Sequence, residues 1–114
     1  MTDSNMDKKV VDGKVAVLVS PGFGAGWYSW NRDHPGLLFD PVIVDMVLEN
    51  RHSEIEDYVT QKCEAAGIDA NEVYCGGSGD LIVRWVDQGK IFRIHEYDGS
   101  ESLVLQEKDD WFVA

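Results

Sequence analysis

The sequence predicts an α+β fold: one N-terminal strand, two consecutive helices, then an antiparallel meander of four to five strands, with the helices packed on one face of the sheet. Three observations lead there. The run Val10 to Ser20, "VVDGKVAVLVS", is rich in β-branched residues, the middle of the chain carries two sets of helix signals, and from Glu72 the apolar period becomes two. A length of 114 residues with 44% apolar content suits one domain and one core, placed at 10–114. The polar opening "MTDSNMDKK" reads as a disordered tail over residues 1–9.

Within the first strand, Asp12-Gly13 marks a tight turn. After the segment "NRDHPGLLFDP", Asp40 supplies an N-cap and Pro41 the first helical position, so a helix starts there and continues through "VIVDMVLEN". That body is apolar almost all round, as expected of a helix clamped between the sheet and a neighbour. The second helix is "HSEIEDYVTQKCEAAG". Ser53 and Glu56 have capping-box spacing, acids crowd the first turn, and Gly67 stands where a left-handed C-terminal residue is needed. Ile55, Val59, Cys63 and Ala66 form its buried stripe, with Tyr58 and Lys62 at the margin. Cys63 is therefore expected in the core. Cys75, the other cysteine, is also expected to be buried and reduced, since the spacing fits neither a zinc site nor a disulfide framework.

Short β-rich pieces follow: "EVYCGG", "DLIVRWVD", "KIFRIHEYD", "SLVLQ" and a last "DWFVA". Asp98-Gly99 is a hairpin signal. In "KIFRIHEY", Phe92 and Ile94 share one face while Arg93, His95 and Tyr97 share the other. Arg84, alternating with Val83 and Trp85, is expected on the same solvent side as Arg93.

Twenty-one acids against ten bases give a net charge of −11. A surface of that sign repels phosphate backbones and anionic membranes, so no direct nucleic-acid or membrane partner is expected and a basic protein partner is favoured. High net charge also serves solubility alone. The chain has no run long enough for a membrane span and no secretory h-region at its start, which points to the cytoplasm.

The stretch "SPGFGAGWYSWN" offers the main candidate site. Gly22, Gly24 and Gly26 alternate before Trp27, Tyr28 and Trp30, so bare backbone and stacking rings lie side by side. The spacing is GxGxG with no lysine after it and Pro35-Gly36 ends any helix early, so it fits neither a dinucleotide fingerprint nor a P-loop. Two readings stand: a binding loop, or an architectural turn whose glycines supply positive φ. Trp27 is expected inside, with Tyr28 or Trp30 exposed to meet a cationic group. A second cluster, "HEYDGSE", holds His95 and Tyr97, with His34 and Asp80 as conceivable neighbours for acid-base chemistry. On a strand, however, His95 and Glu96 face opposite ways. No catalytic, metal or cofactor motif appears, and the chain is expected to be non-enzymatic.

"KVAVLVSPGFGAGWYSWN", "LLFDPVIVDMV" and "FRIHEYDGSES" resemble a group of short proteins encoded by bacteriophages and prophages, over about Lys14 to Ser102. The resemblance brings no activity and no site residues with it. It implies a small accessory protein in a bacterial host cell, acting as an inhibitor of host machinery or an adaptor to it, and the acidic charge adds a surface that mimics nucleic acid. The alternative from another class is a small-molecule or nucleotide-binding protein using the Gly22–Gly26 loop with His95 and Tyr97.

Overall fold

The computed structural model describes residues 7–105. Among them are two helices and two antiparallel sheets, of three and two strands, so the chain is α+β. The larger sheet runs β1 (Val10–Val11), β2 (Lys14–Val19), β3 (Ile82–Asp87) in that spatial order, and the smaller is the hairpin of β4 (Phe92–Tyr97) and β5 (Ser100–Leu105). Both hairpin turns carry the Asp-Gly pairs seen in the sequence. Asp12 and Gly13 have φ of 53° and 77°, and Asp98 and Gly99 have 53° and 85°, the paired positive values that match the strand twist.

The predicted meander requires correction. β3 pairs with β2, from Lys14↔Asp87 to Val19↔Ile82, and among the described residues β4 pairs only with β5. The cause is burial on both faces: Ala16, Val17, Leu18 and Val19 are all buried, and a strand apolar on two sides belongs at the centre of a sheet. "EVYCGG" forms no strand either. Ala70–Glu72 is a 3-10 turn, and the backbone of Tyr74 finds its partners on one side chain. Its N–H donates to Asn31 Oδ1 at 2.8 Å and its carbonyl accepts from Asn31 Nδ2 at 2.9 Å, which replaces a strand neighbour. "DWFVA" lies outside the described residues. Arg84 and Arg93 consequently stand in different sheets, and no ladder joins their strands.

Alternation along β2 separates two cores. Ala16 and Leu18 join Trp27, four residues of α1 (Pro41–Leu48) and Ile55, Val59 and Cys63 of α2 (Ile55–Ala66). Val17 and Val19 turn the other way, to Leu38, Phe39, Val86 and Ile94. Each such side chain contributes about 1.5–3 kcal/mol by leaving water. The three-stranded sheet is thereby held between the helices and the segment around Leu38 and β4.

Helix ends follow the sequence in part. Asp40 caps α1, accepting from Val42 N at 2.9 Å, with Pro41 next. Gly67 closes α2 at φ 75°, and Ile68 N–H reaches the Cys63 carbonyl at 2.8 Å. The Ser53–Glu56 box does not form. A 3-10 turn, His52–Glu54, leads into α2, no side chain caps it, and Arg51 grips Glu54 with two 3.0 Å bonds. Ala66 is exposed, so the buried stripe ends at Cys63. Lys8 and Lys9, assigned to the tail, touch the body: Lys8 Nζ lies 4.7 Å from the Phe39 ring centre and Lys9 Nζ 2.9 Å from Asp45. No helix among the described residues is long and apolar enough to cross a membrane.

Candidate functional site

The glycine-aromatic loop is built around a residue outside the sequence candidates, Glu101. Alternation along β5 turns it inward with Leu103, and it is 2% exposed. One carboxylate oxygen accepts from Ser20 N–H at 3.0 Å. The other accepts from Trp27 N–H at 2.8 Å, Ser29 N–H at 2.8 Å and the Ser29 hydroxyl at 2.6 Å. Three backbone N–H groups and a hydroxyl, from the end of β2 and the far side of the loop, converge on one anion. Here the anion is the protein's own side chain.

The rest of the loop is fastened in the same way. Gly24, at φ 100°, donates its N–H to the Asp98 carbonyl at 2.8 Å, Glu101 N–H reaches the Ser20 carbonyl at 2.8 Å, and the Ser100 hydroxyl reaches the Pro21 carbonyl at 2.7 Å. Gly99 lies so close to Gly24 that a β-carbon on it would stand 2.9 Å from the Gly24 nitrogen. A β-carbon on Gly26 would sit 2.7 Å from the Trp30 ring, and one on Gly22 would sit 2.9 Å from the Asp80 carboxyl carbon. Gly22 and Gly26 therefore serve close approach of a carboxylate and a ring, Gly24 supplies a positive φ, and it is Gly99 that lets the hairpin come close. Little bare backbone is left for a phosphate.

The aromatic candidates divide by position. Trp27 is fully buried and donates its indole N–H to the Leu37 carbonyl at 2.9 Å. Tyr28 is half-buried beneath Arg32, whose guanidinium carbon lies 5.5 Å from the ring centre. Trp30 is 42% exposed and pairs with Tyr74, 48% exposed, at a centroid distance of 5.0 Å and a tilt of 34°. Glu96 Oε2 lies 3.5 Å from the Trp30 indole nitrogen and also accepts the Gly99 N–H at 2.7 Å. Exposed Asp80 and Asp98 stand on the same loop end, at Gly22 and Gly24 respectively. The result is an open face of rings and carboxylates.

His95 and Tyr97 do not join it. Both alternate to the side of the hairpin opposite Glu96, and both are exposed. His34 borders a different region, a cavity of about 220 Å³ against α2 lined by Leu37, Val59, Cys63 and Val73, so it stands apart from Asp80. The one charged group on that cavity, Lys62, is bonded to buried Asp40 at 2.6 Å, and Tyr58 donates to the same carboxylate at 2.9 Å. The Tyr58 hydroxyl is pushed up, first by burial and then by the Asp40 charge, while bonding to Asp40 raises Lys62 against its own burial. Cys75 is half-buried, less enclosed than expected, and burial followed by the charge of Glu56 pushes its thiol up to about 11. A thiol so rarely ionised at neutral pH makes a poor nucleophile.

Glu101 is not a candidate on sequence, where it is one of several acids at the end of "HEYDGSE". Period two carries the missing signal: it sets Glu96 with Phe92 and Ile94, and Glu101 with Leu103, on the apolar face of the hairpin. Two carboxylates directly opposed on an inward face require donors from elsewhere. No family model, curated protein or solved structure matches the chain.

Proposed function

We propose that the chain is a non-enzymatic interaction module that binds a basic segment of another protein, as an accessory protein of the phage-encoded kind its sequence resembles. The Trp30–Tyr74 ring pair beside Glu96, open to solvent on a loop end that also carries Asp80 and Asp98, is the observation on which this rests. An arginine or lysine laid on an exposed ring gains about 0.5–1 kcal/mol, more where water is excluded, and adjacent carboxylates add to its attraction. The fixed loop supports the reading, because a rigid aromatic platform loses little conformational entropy on binding.

Long-range attraction has a source as well. Glu56, Asp57 and Glu64 on α2 are exposed, and none forms an ion pair among the described residues. A field of that sign steers basic partners and repels nucleic acid, which suits an inhibitor occupying a surface meant for nucleic acid.

Titration of an arginine-rich peptide, followed by tryptophan fluorescence, tests the proposal. The peptide should bind saturably, with affinity falling about tenfold between about 0.05 and 0.3 M salt as charges are screened. Trp30→Ala should weaken it by about fivefold or more, the size of one cation–π contact. Unchanged affinity in Trp30→Ala would remove this face from the reading.

A further inference from the structure

A second region has the opposite chemistry. A cavity of about 220 Å³ is lined by Tyr28, Arg32, Leu38, Phe92, Arg93 and Ile94. No residue of β5 borders it, and among the described residues the far edge of β4 has no strand partner, so it lies between that edge and the chain around Tyr28–Leu38. Arg32 and Arg93 both line it, and among the described residues no acid does.

That arrangement is unexpected in a chain with 21 acids and ten bases. Lys9, Lys14, Arg51 and Lys62 each have a carboxylate partner, while Arg32 and Arg93, like Lys8, Arg84 and Lys90, have none among the described residues. Arg32 is held over the Tyr28 ring, and Arg93 lies on β4, where alternation starts its side chain on the face opposite Phe92 and Ile94, so it reaches the cavity around the strand edge. Both side chains are exposed and keep their donor forks available.

We propose that this cavity binds a small phosphomonoester carrying a single ring. A phosphomonoester brings about −1.5 to −2 charges at neutral pH, which two arginines neutralise, and its oxygens match the guanidinium fork. Leu38, Phe92 and Ile94 give the floor an apolar character that suits a ring. Size sets the limit: drug-sized ligands occupy pockets of about 300–1,000 Å³, so this one holds a phosphate with one ring and excludes a dinucleotide. The site is separate from the Gly22–Gly26 loop, whose flanking donors at Ser20, Trp27 and Ser29 go to Glu101, and it does not rest on the proposed protein partner.

Calorimetric titration of the full chain with phenyl phosphate tests it, with inorganic phosphate as the ringless probe. Phenyl phosphate should saturate the protein and bind about tenfold or more tightly than inorganic phosphate, the ring accounting for the difference. Arg32→Gln and Arg93→Gln should each weaken binding by about tenfold or more, whereas Arg51→Gln, which removes the same charge from the turn before α2, should change it by less than about twofold. Arg93→Lys, keeping charge but not the fork, should fall between. No saturation up to about 10 mM, equal affinity for the two probes, or an equal loss in Arg51→Gln would overturn the proposal.

Discussion

Glu101 joins three separate parts of the chain through one carboxylate: the end of β2, the glycine loop and the hairpin. Its four donors are neutral, so the charge is stabilised by hydrogen bonds rather than by a cation. Glu101→Ala leaves Ser20 and Trp27 N–H groups buried without an acceptor, each at a cost of about 1–3 kcal/mol, and adds a cavity. We expect a loss of at least about 3 kcal/mol in urea denaturation. Glu101→Gln retains one acceptor oxygen. If that oxygen faces Trp27 and Ser29, only the Ser20 N–H meets an unfavourable amide, so its loss should be about half that of the alanine variant. An alanine variant as stable as the parent protein would mean that the loop is not held from this residue.

Between elements, Asp40 ties the start of α1 to α2. Its carboxylate caps α1 and receives Tyr58 and Lys62 from α2, so two effects compete for its importance. Lys62 is 59% exposed, and an ion pair with so wet a partner contributes about 0–1 kcal/mol. Loss of an N-cap costs about 0.5–2 kcal/mol, and the buried Tyr58 bond adds to it. The cap should dominate: Lys62→Ala is expected to cost less than about 1 kcal/mol, Asp40→Asn about 1, and Asp40→Ala about 2–3, measured by thermal or urea unfolding. A larger loss for Lys62→Ala than for Asp40→Ala would reverse the order of the two effects. This cap was legible, because Asp-Pro before an apolar run is a local signal, as were both Asp-Gly hairpin turns and the left-handed Gly67. What escaped was non-local. The acceptor that fixes the glycine loop is about seventy positions away, and Asn31 stands in for a strand beside Tyr74 across 43 residues. β2–β3 pairing likewise joins distant segments, although the doubly apolar run "VAVLV" is the trace a central strand leaves. The ring pair of Trp30 and Tyr74 is half legible, since Trp30 is a candidate on sequence while "EVYCGG" predicts a strand at Tyr74.

Across the whole molecule, like-charge repulsion opposes the packing of both cores. The net charge is −11, and each ion pair among the described residues has at least one partner open to water, so each contributes little. Carboxylates such as Glu56, Asp57 and Glu64, gathered on one helix without basic partners, repel one another over distances that salt screens. The Debye length falls from about 10 Å at 0.1 M salt to about 3 Å at 1 M. Raising sodium chloride therefore weakens many unfavourable pairs and only a few favourable ones, and the folded state gains. A net gain of about 0.5–1 kcal/mol would raise Tm by about 2–8 °C for a domain of this size, readable in a thermal melt at 0.05 and 0.5 M. Sodium chloride at these concentrations acts mainly by screening, whereas sulfate also strengthens apolar burial, so the comparison belongs in chloride. The same screening weakens attraction to a basic peptide, so stability should rise over the salt range in which peptide binding falls. A Tm that drops with chloride would show that the few ion pairs outweigh the repulsion, and would remove the coherent negative field on which steering of a basic partner depends.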